Sequence, residues 1–284
     1  MHKVIPIIAT IGLLLSFSAL AQNDIEAELK ASSDEHMREE LGVNPVTSPS
    51  IATLLNDLES FRPAPLHLLD ATSREASFNN RLQTALHFGS LVADGFILTI
   101  AERPKDVQDV GKALIRQARA LGIGEQLTKR SKSLLDLSDK GDWIGMRQEL
   151  VRTQEDVENT MLELRDEELA HMVSLGGWLR GFQVGTTSTA EKYSTVKSDI
   201  LAKPDVIDYF IDRLETLNPD IKKTEMVTAL LEGIKKIRLV LIETQGVTPT
   251  QAQVAKLKQL ADDAHSFATA RVDEEGRFTK SPNP

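Results

Sequence analysis

Glu168 and His171 are the pair in this chain whose types and spacing suit metal chemistry. Three residues apart on a helix, they share a face and project a hard carboxylate oxygen and a neutral imidazole together. The run from Arg147 to Phe182 carries a seam at alternating three- and four-residue steps, through Leu150, Met161, Leu164, Glu168, His171, Leu175 and Trp178. That seam places both polar residues inside an apolar stripe. A rival stepping keeps Glu168 inside but substitutes Met172, which moves His171 to the flank.

Glu-x-x-His is the pair that di-iron and di-manganese four-helix carboxylate proteins project into their cores, but those sites need it on two helices, with two further glutamates. Here it occurs once: His2, His36, His67, His87 and His265 have no glutamate three residues before them. A mononuclear iron, manganese or zinc site is the remaining metal reading, built from Glu168, His171 and Asp94, with His87 as a further candidate. Asp94 and His87 are seven residues apart, about 10.5 Å along a helix, so one ion cannot easily take both. The plainer reading is an acidic helix surface, since Asp166, Glu167 and Glu168 are consecutive. It implies no cofactor.

Asp94 and Arg180 form the second constellation. Asp94 lies among Leu91, Val92, Phe96, Ile97 and Ile100, a segment apolar nearly all round, and an ionised carboxylate there must be paired or neutralised. Arg180 is the only charged residue between Met172 and Ala190, which makes it the natural counterion. Two roles are open. The pair fixes the register of two helices, or Arg180 faces a cavity and holds an anion between the apolar walls of Trp178 and Phe182.

The elements that would position these residues are helices. Gly177, Gly181 and Gly185 lie four apart with Gly176 beside them, a face that lets another helix backbone approach closely. The partner expected is the helix of about 78 to 102, with its own small face at Gly89, Ala93 and Gly95. The groove would then lie where residues 85 to 97 cross residues 171 to 185, with Asp94 and Arg180 as its polar centre and Trp178 and His87 among its binding residues.

Pro104, Pro204, Pro219 and Pro249 each open an apolar run of helical period, with Asn218 and Thr248 as caps before two of them. No stretch alternates as a half-buried strand does. The fold predicted is all-α, a multi-helix bundle with long antiparallel helices. Helices are expected at 105 to 121, 125 to 139, one very long run from Asp142 to about Val184, then 190 to 201, 205 to 217, 220 to 244 and 249 to 271. Gly185-Thr186-Thr187-Ser188-Thr189 reads as an interruption that divides a main bundle, 51 to 188, from a smaller C-terminal helical unit, 189 to 272. Residues 273 to 284 read as a disordered tail.

Ahead of the bundle, Met1-His2-Lys3, the apolar run Val4 to Leu15 and the small residues Ala19 and Ala21 match a secretory signal over residues 1 to 21. An acidic amphipathic helix and a linker, residues 22 to 50, follow. No Cys occurs anywhere, so neither a lipid-anchored amino terminus nor disulfides are expected. The 284 residues carry 33 Lys+Arg against 42 Asp+Glu, a net charge of -9 that would repel phosphate backbones. There is no nucleophile elbow, phosphate loop or His-Glu-x-x-His.

These observations together point to an exported protein, periplasmic or secreted, with no integral membrane segment after cleavage and no nucleic-acid partner. The role expected is non-enzymatic interaction or binding of a protein or small ligand. The alternatives are a metal-dependent enzyme using Glu168 and His171, and a purely structural partner in which Asp94 and Arg180 serve packing alone.

Overall fold

The structure, a computed structural model, describes residues 57–69, 76–163, 166–243 and 247–279. The expected signal peptide and the acidic helix and linker of residues 22 to 50 lie outside the described residues. Within them the chain is all-α. Ten α-helices run in order: α1 (Arg81–Ile100), α2 (Pro104–Leu121), α3 (Gly124–Lys140), α4 (Trp143–Glu163), α5 (Glu167–Glu191), α6 (Thr195–Leu201), α7 (Pro204–Thr216), α8 (Pro219–Lys222), α9 (Glu225–Glu243) and α10 (Gln251–Thr269). Before α1, residues 57–60 are helical and Leu66–Leu68 form a 3-10 turn. None of the described helices is long and apolar enough to cross a membrane.

Local chemistry sets most of these boundaries. Pro104, Pro204 and Pro219 sit in the first turns of their helices, where a missing N–H costs nothing. Gly122 and Gly141 end α2 and α3 in the left-handed region, at φ 86° and 66°. The Asp142 side chain then accepts from the Gly145 N–H at 2.9 Å and starts α4. The start of α10 falls two residues beyond the one expected. Thr250 is the cap rather than Thr248, because its hydroxyl and the Gln253 side chain satisfy each other's backbone N–H groups in a capping box.

Three further boundaries differ from the sequence reading. The single long run from Asp142 is two helices, α4 and α5, with Asp166 at the α5 cap position. Its carboxylate lies 3.2 Å from Arg81 at the start of α1, so the break lets α5 turn onto that helix. Conversely, residues 185 to 189 do not interrupt α5. Thr186 and Thr189 return their hydroxyls to the carbonyls of Phe182 and Gly185, four residues back, at 2.8 and 2.7 Å, which satisfies them inside the helix. Finally, residues 273–279 are not a free tail. Val272 and Phe278 form an antiparallel bridge, the Phe278 N–H donates to Glu225 at 2.8 Å, and the Phe278 ring faces Phe267 at 6.1 Å.

α1 and α5 form the axis of the molecule. Of α1, 17 of 20 residues are buried, and of α5, 18 of 25, so each is a central helix rather than an amphipathic cover. α1 packs along α5; α2 covers α1, with α3 and α4 following in sequence, while α10 lies on α5 with α9 and α7 beyond it. Apolar residues from both sides of the 185 to 189 segment, such as Phe96 and Leu179 before it and Leu230 and Leu257 after it, belong to one core.

Candidate functional site

The α1–α5 crossing is built from missing side chains. A Cβ placed on Gly89 would lie 1.9 Å from the Val173 carbonyl oxygen, and one on Gly176 would lie 1.9 Å from that of Leu86. The two backbones therefore touch. Ser90 donates to Leu86 at 3.1 Å and reaches the Gly176 carbonyl at 3.2 Å, fastening the crossing with a hydrogen bond between helices. Gly95 takes no part. It faces Val110 on α2 instead, 3.5 Å from where its Cβ would be.

One turn beyond this contact, Arg180 Nε donates to Asp94 Oδ1 at 2.6 Å, with both side chains 4% exposed. The rest of the guanidinium is also engaged. Nη1 donates to Gln183 Oε1 and Nη2 to the Leu68 carbonyl, each at 2.6 Å. Gln183 passes its own N–H to Asp262 on α10 at 2.9 Å, and Lys258 holds the other Asp262 oxygen at 2.6 Å. Asp94, Arg180, Gln183, Asp262 and Lys258 thus form one chain of charge-assisted bonds from the centre to the surface. Sequence reading found its first two members. Gln183 was visible as a polar residue one turn after Arg180, but no spacing rule links either to α10.

His87 is buried and meets Phe78 edge to face, with ring centres 5.1 Å apart. His265 on α10 shares this region. Its Nδ1 is buried with no hydrogen-bond partner among the described residues. Burial, then the nearness of Arg180 and of His87, push its imidazole down from 6.5 to about 3. A histidine whose folded value is depressed stays neutral in the native state while the unfolded chain takes a proton. Its contribution is whole above pH 6.5 and is lost as pH falls toward 3, by roughly 1.4 kcal/mol per unit. Urea midpoints are therefore expected to drop between pH 7 and 4.5 more steeply in the natural chain than in His265→Gln; equal slopes would overturn this.

The metal constellation does not assemble. His171 Nδ1 is 3.2 Å from the Tyr209 hydroxyl, Glu168 accepts the Asn218 N–H at 3.2 Å, and Asp94 is held by Arg180. Each candidate thus has its own protein partner. Among the described residues no group of three His, Asp or Glu is placed to hold a metal ion.

A cleft opens on the other side of α5 from this network. It is lined by Trp178, Gly181 and Phe182 of α5, by Asp57, Leu58 and Phe61, and by Ile200, Leu201 and Lys203 at the end of α6, with room of about 50 Å³. The Trp178 indole stacks on Phe182 at 5.1 Å and leans on Phe210 at 5.3 Å, which fixes it as a rigid wall. Asp57 and Lys203 pair at 2.6 Å on its margin. Of the residues expected at the groove, Trp178 and Phe182 line this opening, and Asp94, Arg180 and His87 do not. Comparison of the chain with protein-family models, curated proteins and solved structures finds no match.

Proposed function

We propose that this protein is a non-enzymatic helical binding protein, exported to the periplasm or secreted, whose recognition site is the cleft beside Trp178. The observation that supports this reading is the cleft floored by Gly181, where the half-buried Trp178 stacks on the buried Phe182. Its room of about 50 Å³ suits a small apolar group of a partner or ligand, such as a short branched alkyl end, and the Asp57–Lys203 pair offers polar selection at the rim. The Asp94–Arg180 pair has the support role in this reading. It positions α5 through α1 and α10, and its groups are already occupied by one another and by Gln183 and Leu68.

Isopropanol, two methyl groups and one hydroxyl, is the probe of choice, matched to the room of about 50 Å³. Saturation-transfer NMR is expected to show contact with the natural protein and loss of contact in Ile200→Trp, which fills the cleft from α6, with far-ultraviolet circular dichroism unchanged. No transfer, or equal transfer in both proteins, would overturn the cleft as the site. Export has its own test: sequencing of the mature amino terminus is expected to begin at Gln22.

A further inference from the structure

The rim of the cleft carries two opposite charges side by side. Lys203 Nζ donates to Asp57 Oδ2 at 2.6 Å, and their side chains are 39% and 29% exposed. That bond uses only part of either group, since an ammonium has three N–H donors and a carboxylate has a second oxygen. The pair is therefore a short dipole with a donor end and an acceptor end to spare, standing beside an apolar hollow.

Both ends are anchored. Lys203 follows Ile200 and Leu201 of α6, and Asp57 precedes Leu58 and Phe61, four residues that line the hollow themselves. The Asp57 segment is pinned in turn: Ser188 donates to the Phe61 carbonyl at 2.6 Å and Lys197 Nζ to that of Arg62 at 3.0 Å. The Phe61 ring sits against Gly185, where an added Cβ would come within 2.8 Å of it. Charges held on a fixed frame take a ligand without the cost of ordering a loop.

A free α-amino acid matches such a dipole. Its ammonium nitrogen and nearer carboxylate oxygen are about as far apart as Lys203 Nζ and Asp57 Oδ2. Laid head to tail against the pair, its ammonium donates to Asp57 and its carboxylate accepts from Lys203, so that four charges alternate in sign and the existing bond stays made. The room of about 50 Å³ then receives the side chain, and an isopropyl group has the same branched end as isopropanol. We infer that the cleft binds a free α-amino acid with a small branched aliphatic side chain, of valine's size, with the side chain against Trp178 and Gly181 and the two charges on Asp57 and Lys203. This rests on the binding reading above and names its ligand class. A valine inside a peptide lacks both charges and is not a ligand of this kind.

The probe is L-valine, titrated into the natural chain at low ionic strength, where exposed charges are least screened, and followed by amide shifts in NMR. Saturable shifts are expected at residues of the cleft. Isobutylamine, which is valine without its carboxylate, and glycine, which lacks the branched end, are each expected to bind about tenfold or more weakly than valine. Lys203→Met, with circular dichroism unchanged, is expected to lose the preference for valine over isobutylamine. Should Lys203→Met not fold, Asp57→Asn, of the same shape but uncharged, is expected to weaken valine by a similar factor. No saturable shift with valine, valine no tighter than isobutylamine on the natural chain, or a preference that survives in the folded variant overturns the inference. If isopropanol still marks the cleft while valine fails, only the amino-acid inference falls; if both fail, the binding reading falls with it.

Discussion

Gly176→Ala is expected to cost at least about 3 kcal/mol, the severe end of what overpacking does, and to disrupt the fold outright if α1 cannot shift. The added methyl would meet Leu86 O at 1.9 Å, its carbonyl carbon at 2.7 Å and its Cα at 2.9 Å, all main-chain atoms of the central helix. No rotamer change relieves a clash with backbone. Gly89→Ala is expected to behave alike, against Val173 O at 1.9 Å and Gly177 N at 2.7 Å. The series then grades with distance. Gly177→Ala, 3.4 Å from Gly89 O, is expected to be milder, and Gly111→Ala on α2, with no atom within 4 Å, should stabilise by about 0.5–1 kcal/mol through helix propensity. Guanidinium unfolding of the four variants checks the order. Equal costs at Gly176 and Gly111 would show that the helices do not touch as described.

Asp94→Leu is expected to destabilise by about 3–5 kcal/mol, because it strands a guanidinium out of water rather than because the pair itself is worth so much. Arg180→Met should cost at least as much, since it leaves Asp94, the Leu68 carbonyl and Gln183 each short of a partner. The combined Asp94→Leu, Arg180→Met protein has no stranded charge. It should remain below the natural chain by only the two neutral acceptors left open, about 2–4 kcal/mol, well short of the sum of the singles. A double-mutant cycle by chemical denaturation measures that shortfall. Additive losses would mean that the two charges are solvated separately.

Much of this architecture could be read from residue types alone, and the reasons are specific. Gly89 against Gly176 and Gly177 was legible because four-residue glycine spacing has few uses other than close approach. Asp94 with Arg180 was legible because each is an isolated charge in an apolar run. The break before α5 left a fainter signal: Asp166 followed by Glu167 and Glu168 is a helix-start pattern as well as an acidic surface, and the apolar period continues through it. Residues 185 to 189 misled for the opposite reason. Their propensity is poor, but burial and hydroxyl bonds to carbonyls four back override it. The place of His265, Asp262 and the 57–69 segment had no local trace at all. Those contacts span 79 to 127 residues of chain, between Gln183 and Asp262, Arg180 and Leu68, and Ser188 and Phe61, and nothing in a one-dimensional pattern marks them.

The α1–α5 axis has a consequence for biosynthesis. Asp94 and Arg180 are 86 residues apart, so at a ribosomal pace of about 5–20 residues per second α1 waits roughly 4–17 s for α5, with α2 as its main early neighbour. During that interval a nascent chain displays Phe88, Leu91, Phe96 and Ile97 to the surrounding medium. A chain so exposed is prone to stick to its copies, and its yield on overexpression is expected to rise when a holdase is supplied alongside it.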